Sequence, residues 1–209
     1  MSQHLTLVIG TKRFSSWSLR PWLALKLAEV DFAEVEIPLR QPDTKAEILK
    51  WSPSGKVPLL MDRELKIWDS LAICEYVAEQ FPEAGLWPSK RKARAVARAI
   101  SAEMHSGFMS LRQVCPMDVC LSAPLVEIPA EVKADIARIT MVWNECRDRF
   151  GTKNDDGFLF GRFTVADAMF APVVSRFRTY ALPQDKVSRA YCDAVMALPA
   201  MKQWIKAAG

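Results

Sequence analysis

Apolar and polar positions change period along the chain, first as a mixture of strand and helix spacing and then as helix alone. The run His4-Leu5-Thr6-Leu7-Val8-Ile9-Gly10 reads as a strand, after which Leu19, Trp22, Leu23, Leu27 and Val30 recur on one helical face. Phe32-Ala33-Glu34-Val35-Glu36-Ile37-Pro38-Leu39 alternates as a second strand. A loop with Gln41, Pro42 and Asp43 leads to a short helix from Thr44 to Trp51, which Ser52-Pro53-Ser54-Gly55 ends. Val57-Pro58-Leu59-Leu60-Met61 is a third strand, and Asp62-Arg63-Glu64 turns it into the hairpin partner Leu65-Lys66-Ile67-Trp68. Asp69-Ser70 then opens a helix that sets Leu71, Cys74, Val77 and Phe81 on one side. The order β-α-β-α-β-β-α predicts a compact α/β unit over residues 1–82.

The stretch Phe81-Pro82-Glu83-Ala84-Gly85-Leu86-Trp87-Pro88 carries the prolines and glycine of a linker, placed at 83–92. Residues 93–209 read as an all-helical domain. Val96, Ile100, Met104, Phe108 and Leu111 predict one long helix. Val132, Ile136, Ile139, Trp143, Cys146 and Phe150 predict another, beyond a loop with Cys115, Pro116, Pro124 and Pro129. Gly151 to Gly157 is a polar break, Thr164 to Tyr180 a third helix, and shorter helices follow near 186–197 and from Pro199 onward.

Half of the 209 residues are hydrophobic, enough for a substantial core. The net charge of +4 is mild, and the one basic cluster, Lys90-Arg91-Lys92-Ala93-Arg94, reads as a solvated helix start, so no nucleic-acid surface is expected. No apolar run reaches membrane-spanning length, and the N-terminus lacks a signal peptide's apolar region. Five scattered cysteines without a CxxC pair suggest reduced thiols in a cytoplasmic protein. With two histidines, neither at ligand spacing from a cysteine, no metal site is expected.

Candidate chemistry gathers in three places. Phe14-Ser15-Ser16-Trp17-Ser18-Leu19-Arg20 puts three hydroxyls in a strand-to-helix loop, beside the free N–H groups and positive dipole end of a helix. A serine there can donate a hydrogen bond to an anion such as a thiolate, or can simply cap the helix. Val57-Pro58 interrupts a strand with a residue that cannot donate to the ladder; a cis bond would expose the Val57 backbone to an extended peptide ligand, a trans one would only start the strand. Asp69-Ser70 offers a carboxylate for an ammonium and a helix N-terminus for a carboxylate, the two needs of an amino-acid head group, although Ser70 also suffices as a cap. Thr164-Val165-Ala166-Asp167 is a capping pattern serving the fold of the helical domain. His105 and Arg112, seven apart, share a helical face as surface residues or as a site lining.

The order and spacing of these anchors resemble the cytosolic glutathione transferases over essentially the whole chain. Ser15-Ser16-Trp17-Ser18-Leu19-Arg20 is similar to the Ser-Ser-Cys-x-x-Arg motif of the zeta class, with Trp17 where that class has cysteine. The resemblance implies a thioredoxin-like N-terminal domain, an all-α C-terminal domain, a homodimer, and glutathione as cosubstrate with a small electrophile. It implies Ser15 as the catalytic serine, Val57 as the backbone contact to the cysteinyl residue, and Asp69 with Ser70 as the γ-glutamyl clamp. Ser16 and Lys56 join the glutathione contacts, Lys56 at the glycyl carboxylate. The electrophile is expected near Trp17, Met104, His105, Phe108 and Arg112. Two other readings belong to the same likeness: a glutathione-dependent maleylacetoacetate isomerase, and an interaction protein that keeps the fold without the chemistry.

Overall fold

The structure, a computed structural model, describes residues 5–209. The sheet of its N-terminal unit has four strands, with the first in chain order flanked by the second and the third, and the fourth at the far edge. Strand β1 (Leu5–Gly10) pairs parallel with β2 (Ala33–Ile37) and antiparallel with β3 (Leu59–Asp62), which forms a hairpin with β4 (Leu65–Trp68). His4, placed at the head of the first strand by its pattern, lies outside the described residues. Strand β1 is buried on both faces: Leu5, Leu7 and Ile9 enter the main core, and Val8 joins Ile37, Ile48 and Leu59 on the other side. Helix α2 (Thr44–Trp51) covers that second side through Ile48, while α1 (Ser16–Leu27) and α3 (Ser70–Gln80) cover the first.

The third strand starts two residues later than its apolar run, because the Val57–Pro58 bond is cis and Pro58 has no N–H for the ladder. Among the described residues, neither the Val57 N–H nor its carbonyl has a backbone partner.

After a 3₁₀ turn at Pro82–Ala84, the named elements are helices: α4 (Arg91–Ser106), α5 (Met109–Val114), α6 (Ala130–Phe150), α7 (Val165–Thr179), α8 (Lys186–Ala197) and α9 (Pro199–Ala208). Helix α4 begins inside the stretch read as linker. The single helix expected from Val96 to Leu111 is two. Gly107 ends α4, where a side chain's Cβ would stand 2.9 Å from the Glu103 carbonyl, and Phe108 adopts a left-handed conformation at φ 59° before α5. Phe108 and Leu111 keep the apolar spacing because both still reach the core from a redirected segment.

Helix α7 is the spine of the second unit, buried along nearly its whole length. Its start follows the predicted capping pattern. The Asp167 carboxylate accepts from the Thr164 N–H and hydroxyl, both at 2.8 Å, and from the Leu159 N–H at 3.1 Å. Burial still pushes the Asp167 carboxyl up to about 6. Helix α1 packs between the sheet and α7, so one continuous core joins both units.

Candidate active site

A cleft of about 530 Å³ opens where the N-terminal unit meets α4. Ser54, Lys56, Val57, Pro58, Trp68, Asp69 and Ser70 form one side, with Trp17 from α1 and His105 from the end of α4. The volume suits a ligand of a few hundred daltons.

The α3 end of the cleft is built for a polar ligand. Asp69 is the N-cap residue, and its side chain accepts from the Leu71 N–H at 2.9 Å. Its backbone sits at φ 71°, ψ 136°, a conformation that non-glycine residues rarely hold. Beside it the Ser70 hydroxyl is buried without a hydrogen-bond partner among the described residues, although the residue lines the cleft. A buried hydroxyl left unpaired is costly, and it stands at a helix N-terminus whose free N–H groups favour an anion.

The far wall is organised around Trp17. Its ring lies 5.2 Å from that of His105, and the Arg20 and Arg112 guanidinium carbons stand 4.1 and 4.8 Å from its centre. Arg20 is fully buried and reaches no carboxylate among the described residues; it donates to the carbonyls of Ser16 and of Met169 in α7. Burial, reinforced by repulsion from Arg176 and Arg112, pulls the Arg20 pKa well below its ordinary value. Arg112 donates to the Met104 and His105 carbonyls at the end of α4, and burial lowers its pKa as well. His105 Nε2 approaches both Asp69 carboxylate oxygens, at 2.9 and 2.7 Å, and so ties the two units together across the cleft.

Of the residues singled out by sequence, Trp17, Lys56, Val57, Asp69, Ser70 and His105 come together in the cleft. Met104 is wholly buried, Phe108 is buried at the α4–α5 break, and the Arg112 guanidinium stands over the Trp17 ring, so none of the three lines the cleft itself. His105 and Arg112 lie on different helices and meet through a carbonyl instead of sharing one face.

Ser15 and Ser16 sit at the head of α1 outside the cleft lining. Ser15 is the N-cap residue, but its hydroxyl caps nothing; it donates to the Ser18 hydroxyl oxygen at 2.7 Å, which also accepts from the Gly10 N–H at 3.2 Å.

Pro58 of the Val57-Pro58 pair lines the cleft too, and so do Ser54 and Trp68, which had not been singled out for it. Ser54 lies two residues before Lys56, and Trp68 precedes Asp69 as a half-exposed indole at the end of a strand, a signal of its own.

The family domain described as "Glutathione S-transferase, N-terminal domain" matches residues 14–80, and "Glutathione S-transferase, C-terminal domain" matches residues 129–207. A probable maleylacetoacetate isomerase of Caenorhabditis elegans is 36% identical over 100 residues, 48% of this chain and 47% of that protein. A zeta-class glutathione S-transferase of Euphorbia esula is 37% identical over 105 residues, 50% of this chain and 47% of that protein. The chain thus spans about half the length of these relatives. Among solved structures, a glutathione transferase homologue from Burkholderia gl BGR1, with bound glutathione, superposes with a TM-score of 0.72. It is 24% identical and covers 98% of this chain and 97% of its own, a likeness of fold.

Proposed function

The chain belongs to the glutathione S-transferase family, and we propose that it binds glutathione in this cleft and transfers the thiolate to a small electrophile. The observation that carries the reading is the unpartnered Ser70 hydroxyl at the start of α3, next to the Asp69 carboxylate. Together they supply a donor set for an α-carboxylate and an acceptor for an α-ammonium, the head group of a γ-glutamyl residue. The free Val57 N–H and carbonyl suit the backbone of the cysteinyl residue, and Lys56 beside it suits the glycyl carboxylate.

Ser15 is the proposed thiolate donor, with Ser16 as a further contact at the same helix start. A hydrogen bond to a charged group contributes roughly 1.5–3 kcal/mol. At ~1.4 kcal/mol per unit, a thiol near 8.5 would fall by about one to two units. The α1 N-terminus supports the thiolate, as do the Arg20 and Arg112 charges over the Trp17 ring. The electrophile is assigned to the space beside Trp17 and His105, backed by Met104, Phe108 and Arg112. A homodimer and a cytoplasmic location complete the reading, consistent with five unpaired cysteines.

Calorimetry with glutathione and with the dipeptide Cys-Gly tests it. Glutathione should bind at millimolar concentration or tighter, and Cys-Gly, lacking the γ-glutamyl head, at least tenfold more weakly. Absence of glutathione binding, or equal affinities, overturns the reading.

A further inference from the structure

Two hydroxyls, Ser15 and Ser18, face each other at 2.7 Å, and the Gly10 N–H donates to the Ser18 oxygen. Between them they hold two protons, and their bond uses only one. With Ser15 donating, the Ser18 oxygen takes both available hydrogen bonds and the Ser18 proton has no acceptor among the described residues. Ser18 is wholly inaccessible, whereas Ser15 keeps about 5% of its surface. An orphaned O–H is more costly at the sealed position, and a hydroxyl proton rotates to whichever neighbour suits it.

We infer that Ser18 is a positioning residue: when the Ser15 hydroxyl turns its proton from Ser18 to the glutathione sulfur, their bond reverses and Ser18 donates to the Ser15 oxygen. This rests on the assignment of Ser15 as the thiolate donor. The chain then runs in one direction: Gly10 N–H to Ser18 oxygen, Ser18 O–H to Ser15 oxygen, Ser15 O–H to thiolate. Each acceptor is made a better donor by the bond it receives. No bond other than a hydrogen bond forms or breaks, and no co-reactant is needed. The bond between the two hydroxyls also fixes the Ser15 rotamer before ligand arrives. It gives the third serine of Ser15-Ser16-Trp17-Ser18 a task that capping does not, because Ser18 lies inside the helix and bonds to β1.

The test is a double-mutant cycle over Ser15→Ala and Ser18→Ala, read by the ultraviolet titration of the bound glutathione thiol and by kcat against KM. Ser18→Ala should raise the thiol pKa by a few tenths of a unit and lower kcat roughly two- to fivefold with KM for glutathione little changed. In the Ser15→Ala background the same change should leave the thiol titration unmoved. A Ser18 that only satisfies the Gly10 N–H would alter thermal stability and leave the thiol alone in both backgrounds. Should Ser18→Ala fail to fold, Ser18→Cys keeps the volume with a weaker donor and should shift the thiol in the same direction. If Ser15→Ala raises the thiol pKa and neither Ser18 variant does, or if the Ser18 effect persists without Ser15, the relay is wrong while the Ser15 assignment stands. If Ser15→Ala itself is silent, both fall.

Discussion

Asp69, Ser70 and Ser15 divide the proposed work between holding the peptide and activating its sulfur, and the division is measurable. Ser15→Ala should cut conjugation of a generic aryl halide while leaving glutathione affinity largely intact. If Ser16→Ala is the damaging change and Ser15→Ala is silent, the serine is misassigned. Asp69→Ala and Ser70→Ala should instead weaken glutathione binding by ~1.5–3 kcal/mol each; normal affinity by calorimetry in both variants would remove the γ-glutamyl clamp. Trp17 bears on which reaction follows. It replaces the zeta-class cysteine with an indole that has only an N–H donor, wedged between two guanidinium groups and His105. The purified protein should therefore show weak or no turnover of maleylacetoacetate beside detectable conjugation or peroxide reduction, and efficient isomerisation would refute that. Residue types and spacing made much of the cleft lining legible in the chain, since Asp69-Ser70 and Val57-Pro58 each bring two lining residues in adjacent positions. The bonding of the Ser15 hydroxyl was not, because three serines in four residues offer several equivalent patterns, and only the fold brings Ser15 to the buried Ser18 oxygen.

Periodicity located nearly every helix and strand, and it failed where two helices share one apolar stripe. Val96 to Leu111 keeps a continuous pattern, yet Gly107 and the left-handed Phe108 divide it. Spacing reports which face is buried and is blind to a turn that preserves the face. That break matters, because it lets Arg112 reach back to the α4 carbonyls. The start of α7 was legible in full, since Thr164 and Asp167 contact each other within one turn. Burial raises the Asp167 carboxyl to about 6 from an ordinary 3.8, so the folded protein holds a proton there that the unfolded chain has released. The stability supplied through that proton is complete below about pH 4 and is lost as pH rises through 6, an effect of order 1–3 kcal/mol. Urea unfolding of the wild type and Asp167→Asn at pH 4 and pH 7 checks this. The gap between the two proteins should widen toward pH 4 in favour of the wild type; a constant gap would show that Asp167 titrates normally.

The two units share one core, and their junction is the site of the proposed chemistry. Helix α1 meets the sheet, α3, α7 and α9 at once, while Trp204 of α9 donates to the Lys12 carbonyl at 2.8 Å, beside the loop that carries Ser15. Arg13 pairs bidentately with Asp118 across the same junction, at 2.8 Å for each bond. Such contacts join residues about a hundred or more positions apart, which no local pattern encodes; the division into an α/β unit and a helical unit was legible, and their docking was not. That docking brings His105 to Asp69 and closes the cleft over the α3 N-terminus. The most direct measurement is an ultraviolet titration of glutathione bound to the wild-type protein, followed through thiolate absorbance. A thiol pKa about one to two units below the free value near 8.5 is predicted; a thiol that titrates in the bound state as it does in water would contradict the account.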